Sequence, residues 1–356
     1  MDKKRVLIVD DSAFMRKVIS DIVNSDPGLV VADTAKNGQE AVQKVQLLKP
    51  DVMTLDVEMP VMDGLSALEV VMRESPLPVI MLSSVTKEGA DATLRALELG
   101  ALDFITKPSS IFQINTQDMQ HELLNKLKMA SRVSVRARSA PRRDRVPVQR
   151  PPVSGAERAV PPKEGRIKKI IAIGTSTGGP KALQDVIPQL PANLPASVVV
   201  VQHMPPGFTR SLAERMDSIS QMRVKEAEQN DVLLPGWVYI APGDYHLRVV
   251  RDGHNYRIKL GEDPLVSGHR PSVDAMMDSL AELHMSDIIG VIMTGMGADG
   301  AKGLKRLKEN RTYVIAQDEE SCVVFGMPKS AIKLEAVDKI VSLDSLADEI
   351  IKAMGV

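Results

Sequence analysis

Five short, mostly apolar runs in the first 130 residues are each followed by a stretch with helical spacing, and that alternation leaves few folds open. KRVLIV precedes SAFMRKVISDIV, LVVADTA precedes GQEAVQKVQLL, and DVMTLDV precedes LSALEVVMRE. PVIMLSS then precedes GADATLRALELG, and ALDFITKP precedes MQHELLNKLKMA. Apolar strands joined by helices imply a parallel sheet covered on both faces. From about Arg132 to Arg166 the pattern stops. That segment is rich in Pro and Arg, with too little large apolar surface to offset its ordering entropy, and it predicts a linker. It has no aromatic residues to stack on bases, which argues against a nucleic-acid arm. From Lys168 the alternation returns as KKIIAIG, PKALQDVIPQL, SVVVVQH and FTRSLAERMDSI, and later as SVDAMMDSLAELH, IIGVIMTG, AKGLKRLKENR and YVIAQ. VYIAP and HLRVVRDGHNYRIKL read as an antiparallel insert turning at Asp252-Gly253. The expected organisation is a first α/β domain over residues 1–130, a Pro/Arg-rich linker over 131–166, and a second α/β parallel-sheet domain with an antiparallel insert over 167–356.

Length and composition agree with two cores. A chain of 356 residues is long for one domain, and 44% hydrophobic with 26% charged residues is a globular balance. A net charge of -1 gives no drive toward nucleic acid or acidic membranes. The lone Cys322 excludes an intramolecular disulfide and a multi-Cys metal site, which suits a reducing cytoplasm. No run approaches the ~20 apolar residues a membrane span needs. The expectation is therefore a cytoplasmic protein without direct membrane insertion.

In the first domain, strand one ends in Asp10-Asp11, strand three in Asp56, strand four in Ser83-Ser84 and strand five in Lys107-Pro108. Ligands gather at the carboxyl ends of parallel strands, so these residues are expected to converge. Neighbouring carboxylates repel and call for a cation, and an all-oxygen cluster suits Mg²⁺. This order resembles the receiver domain of two-component response regulators, a doubly wound, flavodoxin-like fold. The resemblance implies that Asp56 accepts a phosphoryl group. It also implies that Asp11, Asp56 and the Glu58 main-chain carbonyl hold Mg²⁺, with Asp10 assisting. Ser83 would bond the phosphoryl oxygens, Lys107 would pair with them, and Phe104 would be the switch aromatic.

In the second domain, Gly174-Thr175-Ser176-Thr177-Gly178-Gly179 follows a strand and precedes a helix, fitting G-x-S-x-G, the turn that exposes a nucleophilic serine. A Gly-Ser turn of this kind is also a phosphate cradle. The next strand ends in His203, and IIGVIMTG runs into Met296-Gly297-Ala298-Asp299-Gly300. Serine, histidine and aspartate would then stand at one sheet edge, as nucleophile, base and the acid that orients the base. The chain order Ser, His, Asp differs from that of the common α/β-hydrolases. A rival base is His269 in Gly268-His269-Arg270-Pro271-Ser272-Val273-Asp274, with Asp274 as its orienter, although Ser272 or Asp274 there suits a helix cap. His121, His246, His254 and His284 are expected to be surface or packing residues, and Cys322 to be structural.

The motifs GTSTGGP, QHMPPGFT, GHRPSVD and TGMGADG, in that order behind a receiver, resemble the chemotaxis protein-glutamate methylesterase/protein-glutamine glutaminase (CheB-like) family over nearly the whole chain. The resemblance implies a Ser176–His203–Asp299 triad and oxyanion donors from the Thr177 side chain and the Met296 N–H. Its substrates would be methyl esters, and also glutamine amides, on methyl-accepting chemotaxis receptors. A chemotaxis histidine kinase would be the phosphodonor, and the esterase would need no cofactor. Thr175 and Ala298 depart from the residues common at those positions. The receiver is expected to cover the serine edge until Asp56 is phosphorylated. The alternative is a response regulator with a non-hydrolytic nucleotide- or DNA-binding output domain. Against it, no compact helix-turn-helix follows the linker, and Lys181 stands behind a proline rather than directly after the glycines.

Overall fold

The computed structural model describes residues 3–107, 117–133, 167–285 and 287–355. Apart from residues 131–133, the expected linker lies outside the described residues. The chain divides into two compact units, residues 1–149 and 150–356.

The first unit runs β1 (Lys4–Val9), α1 (Ala13–Ser25), β2 (Leu29–Ala35), α2 (Gly38–Leu48), β3 (Val52–Asp56), α3 (Gly64–Glu74), β4 (Val79–Ser83), α4 (Lys87–Leu99), β5 (Asp103–Thr106) and α5 (Gln117–Ala130). Its five strands lie in the order β2-β1-β3-β4-β5, all parallel. Val6 to Val9, Val52, Met53, Leu55 and Val79 to Leu82 are buried, as strands covered on both faces require. Ser12, Asn37, Asp63 and Thr86 cap the helices that follow, each side chain accepting the backbone N–H three residues on. Such caps are worth ~1 kcal/mol each. They also keep the strand-to-helix loops short, so residues just past a strand end stay at the sheet edge.

The second unit runs β6 (Lys169–Thr175), α6 (Gly179–Val186), a 3-10 turn (Ile187–Gln189), β7 (Ala196–Gln202), α7 (Phe208–Ile219), β8 (Arg223–Glu226), β9 (Trp237–Ile240), β10 (His246–Asp252) and β11 (Asn255–Gly261). It continues with α8 (Val273–Ala281), β12 (Ile288–Ile292), α9 (Ala301–Glu309), β13 (Tyr313–Gln317), α10 (Met327–Lys333), β14 (Lys339–Val341) and α11 (Leu343–Ala353). Seven parallel strands lie in the order β14-β13-β12-β6-β7-β9-β8, and β10 and β11 form a separate antiparallel pair. The insert is therefore narrower than the sequence suggests. VYIAP belongs to the main sheet, where Val238, Tyr239 and Ile240 are buried and pair with β7 and β8. The hairpin loop is Gly253-His254, one residue later than expected, because Asp252 already pairs with Asn255. The helix read through PKALQDVIPQL breaks at Ile187, since Pro188 has no N–H to carry it on.

Strand β6 lies between β7 and β12, so the chain leaves it on one side and returns on the other. That reversal opens a crevice at the strands' carboxyl ends, and in the first unit β1 sits at the equivalent switch point.

Candidate active site and phosphorylation site

In the first unit Asp10 and Asp56 are buried at the ends of β1 and β3, and Asp11 is exposed beside them. One carboxylate oxygen from each of the three lies within 4.8 Å of the others. Lys107 reaches in from the end of β5, with Nζ 2.8 Å from Asp10 Oδ2 and 2.6 Å from Asp56 Oδ2. Three carboxylates against one ammonium leave the cluster negative, and its donors are all hard oxygens, so the residues present fit a divalent cation. Burial pushes Asp56 up to about 6; Lys107 works against that rise and the charge of Asp10 adds to it. Burial also opposes the charge of Lys107, yet its hydrogen bonds to Asp10 and Asp56 hold it above the usual range.

The raised Asp56 value has a stability consequence. Above pH 6 the ionised carboxylate costs the fold about 3 kcal/mol relative to an ordinary aspartate, and below about pH 4 that cost vanishes. Asp56→Asn is therefore expected to raise the receiver's melting temperature by several degrees in cation-free buffer at pH 7.5, and not at pH 3.5. Mg²⁺ should stabilise wild type much more than the variant. Calorimetry at both pH values, with and without Mg²⁺, checks this, and a wild type melting at or above the variant at pH 7.5 without cation would contradict it.

Ser83 does not face the carboxylates in a hydrogen bond. Its hydroxyl bonds the Gly89 carbonyl at 3.1 Å and accepts from Thr93 Oγ1 at 2.7 Å, both on α4. Phe104 is buried, with the Lys126 Nζ 5.4 Å from its ring centroid and bonded to its carbonyl. The Glu58 N–H points at Asp56 Oδ1, at 3.4 Å.

In the second unit Ser176 follows β6 directly and His203 follows β7 directly. The register pairs Thr175 with Gln202, so the nucleophile and base candidates come from adjacent positions just beyond it. The His203 N–H bonds the Thr175 carbonyl at 3.1 Å, and Gln202 Nε2 bridges the carbonyls of Ser176 and His203 at 3.0 Å each. Thr294, past the end of β12, fixes the serine turn from the other side. Its carbonyl accepts from Ser176 N and Thr175 Oγ1, and its hydroxyl donates to the Thr177 carbonyl at 2.9 Å. Gly178 has φ +78°, a conformation a side chain would strain. Gly295 is equally constrained, because a Cβ there would stand 2.9 Å from that of Ser176. Thr177 is buried, and Met296 follows Gly295, so both expected oxyanion donors flank the serine in sequence or in space.

His203 Nε2 lies 2.7 Å from Asp299 Oδ2, with the two side chains 7% and 1% exposed. The Nε2–H therefore donates to the acid and leaves Nδ1 as the bare nitrogen, the reverse of the usual triad assignment. Nδ1 is buried and has no hydrogen-bond partner among the described residues. The Ser176 hydroxyl is half-buried and makes no hydrogen bond among them either. Such a bond commonly tightens only with substrate in place.

Asp299 also accepts three hydrogen bonds that the sequence did not reveal. Val273 N–H reaches Oδ2 at 2.7 Å, Asp274 N–H reaches Oδ1 at 2.9 Å, and the Ser272 hydroxyl reaches Oδ1 at 2.8 Å. The carboxylate thus sits on the N-terminus of α8, where the helix dipole favours its charge. Burial opposes ionisation of Asp299, but His203 and the backbone donors hold it below the usual carboxylate range. Asp274 goes the other way, raised by burial against a hydrogen bond from Gly303 N–H, with the charge of Asp299 adding to the rise. Its oxygens are occupied by Gly303 N–H and the Ser267 hydroxyl, so it makes no bond to His269 among the described residues. Ser272 caps α8, as the sequence suggested. His269 is instead stacked on His203, ring centroids 3.8 Å apart and planes 15° from parallel. His246 is buried, with Nε2 on the Pro264 carbonyl, and burial pushes the Cys322 thiol up to about 12, which suits neither as a nucleophile or its partner.

Residues 171–350 match the family described as CheB methylesterase, and residues 6–117 match the response regulator receiver domain. The chain is 47% identical to protein-glutamate methylesterase/protein-glutamine glutaminase 1 of Syntrophomonas wolfei, covering 99% of this chain and 100% of that one. It is 50% identical to the protein-glutamate methylesterase/protein-glutamine glutaminase of Geobacillus kaustophilus, covering 99% of each. The crystal structure of the Thermotoga maritima CheB methylesterase catalytic domain, 48% identical, superposes with a TM-score of 0.51 over 52% of this chain and 98% of that domain.

Proposed function

The chain belongs to the CheB methylesterase family, with a response regulator receiver domain ahead of the esterase, and we propose that it hydrolyses glutamate methyl esters on chemotaxis receptors when Asp56 is phosphorylated. Glutamine deamidation is its second activity. The observation that carries this reading is the His203–Asp299 pair, 2.7 Å apart, at the same sheet edge as Ser176. A DNA- or nucleotide-binding output does not fit residues that match a methylesterase over 171–350. The domain limits we propose are 1–130, a linker over 131–166, and 167–356.

Ser176 Oγ attacks the ester carbonyl and its proton passes to His203 Nδ1. Asp299 stabilises the resulting imidazolium through Nε2–H. The negative oxygen of the tetrahedral intermediate is held by the Thr177 hydroxyl and the Met296 N–H, contacts worth roughly 3–4 kcal/mol each where such donors have been removed. Collapse breaks the bond to the methoxy oxygen, which leaves as methanol with the proton from Nδ1. Water then attacks the acyl-enzyme, giving up a proton to Nδ1. That proton returns to Ser176 as the glutamic acid side chain departs, and the new carboxyl loses its remaining proton to solvent. With glutamine the leaving group is ammonia. Methanol released in step with new receptor carboxylate is the test, and receptor demethylation without methanol would sink the reading.

In the receiver, Asp11, Asp56 and the Glu58 carbonyl would hold Mg²⁺ with Asp10 assisting, and the ion would neutralise charge during phosphoryl transfer from a chemotaxis histidine kinase. Asp56 takes the phosphoryl group, and Lys107, already bonded to that carboxylate, pairs with it. Ser83 must give up Gly89 and Thr93 to bond the phosphoryl oxygens, which alters how α4 is held. Phe104 shares β5 with the strand end that carries Lys107 and is the switch aromatic in this reading. No helix among the described residues is long and apolar enough to cross a membrane. The enzyme acts from the cytoplasm on receptors already in the membrane.

We expect Asp56→Asn to abolish stimulation by a small-molecule phosphodonor with Mg²⁺ while keeping basal activity. A chain starting at residue 131 should show higher basal methanol release than the unphosphorylated full chain, circular dichroism verifying its fold. Equal or lower release from the folded truncation would count against inhibition by the receiver.

A further inference from the structure

His269 takes no part in the mechanism above, yet its ring covers that of the base. The two imidazoles are 3.8 Å apart at 15°, close to a parallel stack. The loop that carries it is built for this approach. Ser267 and Gly268 both have positive φ, +53° and +81°, and the turn is closed by Val266 and His269 exchanging backbone hydrogen bonds of 3.0 and 3.2 Å. The same loop then delivers Ser272, Val273 and Asp274 to the Asp299 carboxylate. One segment therefore orients the acid with its backbone and covers the base with a side chain.

The base needs that cover. His203 is anchored only at Nε2, while Nδ1, the nitrogen that must face Ser176, has no partner among the described residues. A ring held by one edge can tilt about that bond, and a tilt moves Nδ1 off the serine. Reaction geometry is steep in such displacements. A flat aromatic face against the ring blocks the tilt on that side. It also tolerates the imidazolium formed in each half-reaction, since a π face attracts a cation.

We propose that His269 is a positioning residue that holds the His203 ring by stacking, so that Nδ1 stays directed at Ser176. This rests on reading His203 as the base. The role needs an aromatic face rather than a second base, because Asp274 is engaged with Ser267 and Gly303 and is not bonded to His269.

The test compares His269→Ala, His269→Leu and His269→Phe in the full-length protein with phosphodonor and Mg²⁺, measuring methanol release against receptor concentration. His269→Ala is expected to lower kcat about tenfold, the range of a lost aromatic pair, with KM within about twofold. His269→Phe should restore most of the lost kcat, and His269→Leu, which fills space without a flat face, should not. Melting temperatures should stay close to wild type, since the side chain is half-exposed and the turn is closed by backbone bonds. Wild-type kcat in the alanine variant, a loss confined to KM, or leucine rescuing as well as phenylalanine would each overturn the proposal. His203→Gln serves as the control. If it retains activity while all three His269 variants are dead, the choice of His203 as base falls, whereas a dead His203→Gln beside fully active His269 variants removes only the positioning role.

Discussion

Ser176→Ala is expected to lower methanol release from methylated receptor membranes by at least ~10⁴-fold, with or without phosphodonor, because the acyl-enzyme in the proposed mechanism forms on the Ser176 oxygen that alanine lacks. The structure makes this substitution clean. The Ser176 hydroxyl has no hydrogen bond to lose among the described residues, and the turn is held through backbone atoms by Thr294 and Gln202. Alanine should therefore leave the melting temperature within about a degree of wild type. A sulfonyl fluoride or fluorophosphonate should add one adduct mass to the wild-type esterase, placed on Ser176 by peptide mapping, and none to the variant. Phosphorylation of Asp56 should be untouched, which separates loss of chemistry from loss of switching. A variant that retains a tenth or more of wild-type turnover would mean that Ser176 is not the nucleophile and that its turn only shapes the site.

Much of this site could be read in advance because it is encoded at strand ends. Buried parallel strands are continuous apolar runs, so polar residues that interrupt them stand out: Asp56, Ser83, Lys107, Ser176 and His203 all lie at the last residue of a strand or the next one. What the sequence concealed depends on contacts between distant segments. Ser272 reads as a local helix cap, which it is, but its second bond runs to Asp299, 27 residues away. Gln202 looks like a strand residue, and only the register shows that its amide spans the nucleophile and base backbones. Strand β8, RVKE, has no apolar run to mark it in the sequence, because an edge strand has one neighbour and carries charge in its place. Strand β9 lies next to the hairpin insert in sequence and reads as part of it, whereas its pairing with β7 and β8 and its buried residues place it in the main sheet. Lys126 is also set by distant contacts: it is half-buried, with its Nζ 3.4 Å from Asp103 Oδ1 and 5.4 Å from the Phe104 ring centroid. Which nitrogen of His203 meets the acid is beyond any pattern, being set by where the loop from β12 returns Asp299.

Asp299→Asn should be nearly as damaging to turnover as loss of the serine, and unlike it should also weaken the fold. Each carboxylate oxygen accepts two hydrogen bonds, Oδ2 from His203 and Val273, Oδ1 from Ser272 and Asp274. An amide has only one oxygen, so either orientation sets its NH₂ against a buried backbone N–H, that of Val273 or that of Asp274. With the NH₂ on the His203 side, Nε2 must accept, and the ring proton moves to Nδ1, the nitrogen that has to be bare. With the NH₂ on the other side the tautomer survives, but the negative charge opposite the imidazolium is gone. The expected fall in kcat is about 10³–10⁴-fold, the size seen when a triad acid becomes an amide. The buried donor left unpaired costs roughly 1–3 kcal/mol, which for a unit of this length lowers the melting temperature by several degrees. Asp274→Asn separates the two effects. Its Oδ1 still accepts from Gly303 N–H, its amide still meets the Ser267 hydroxyl, and it leaves the His203–Asp299 pair intact, so kcat should stay near wild type, while loss of a buried charge that Asp299 repels should raise stability at neutral pH. Turnover within tenfold of wild type in Asp299→Asn, alongside the same thermal loss, would make Asp299 a helix-capping residue and leave His203 oriented by its stack and backbone alone.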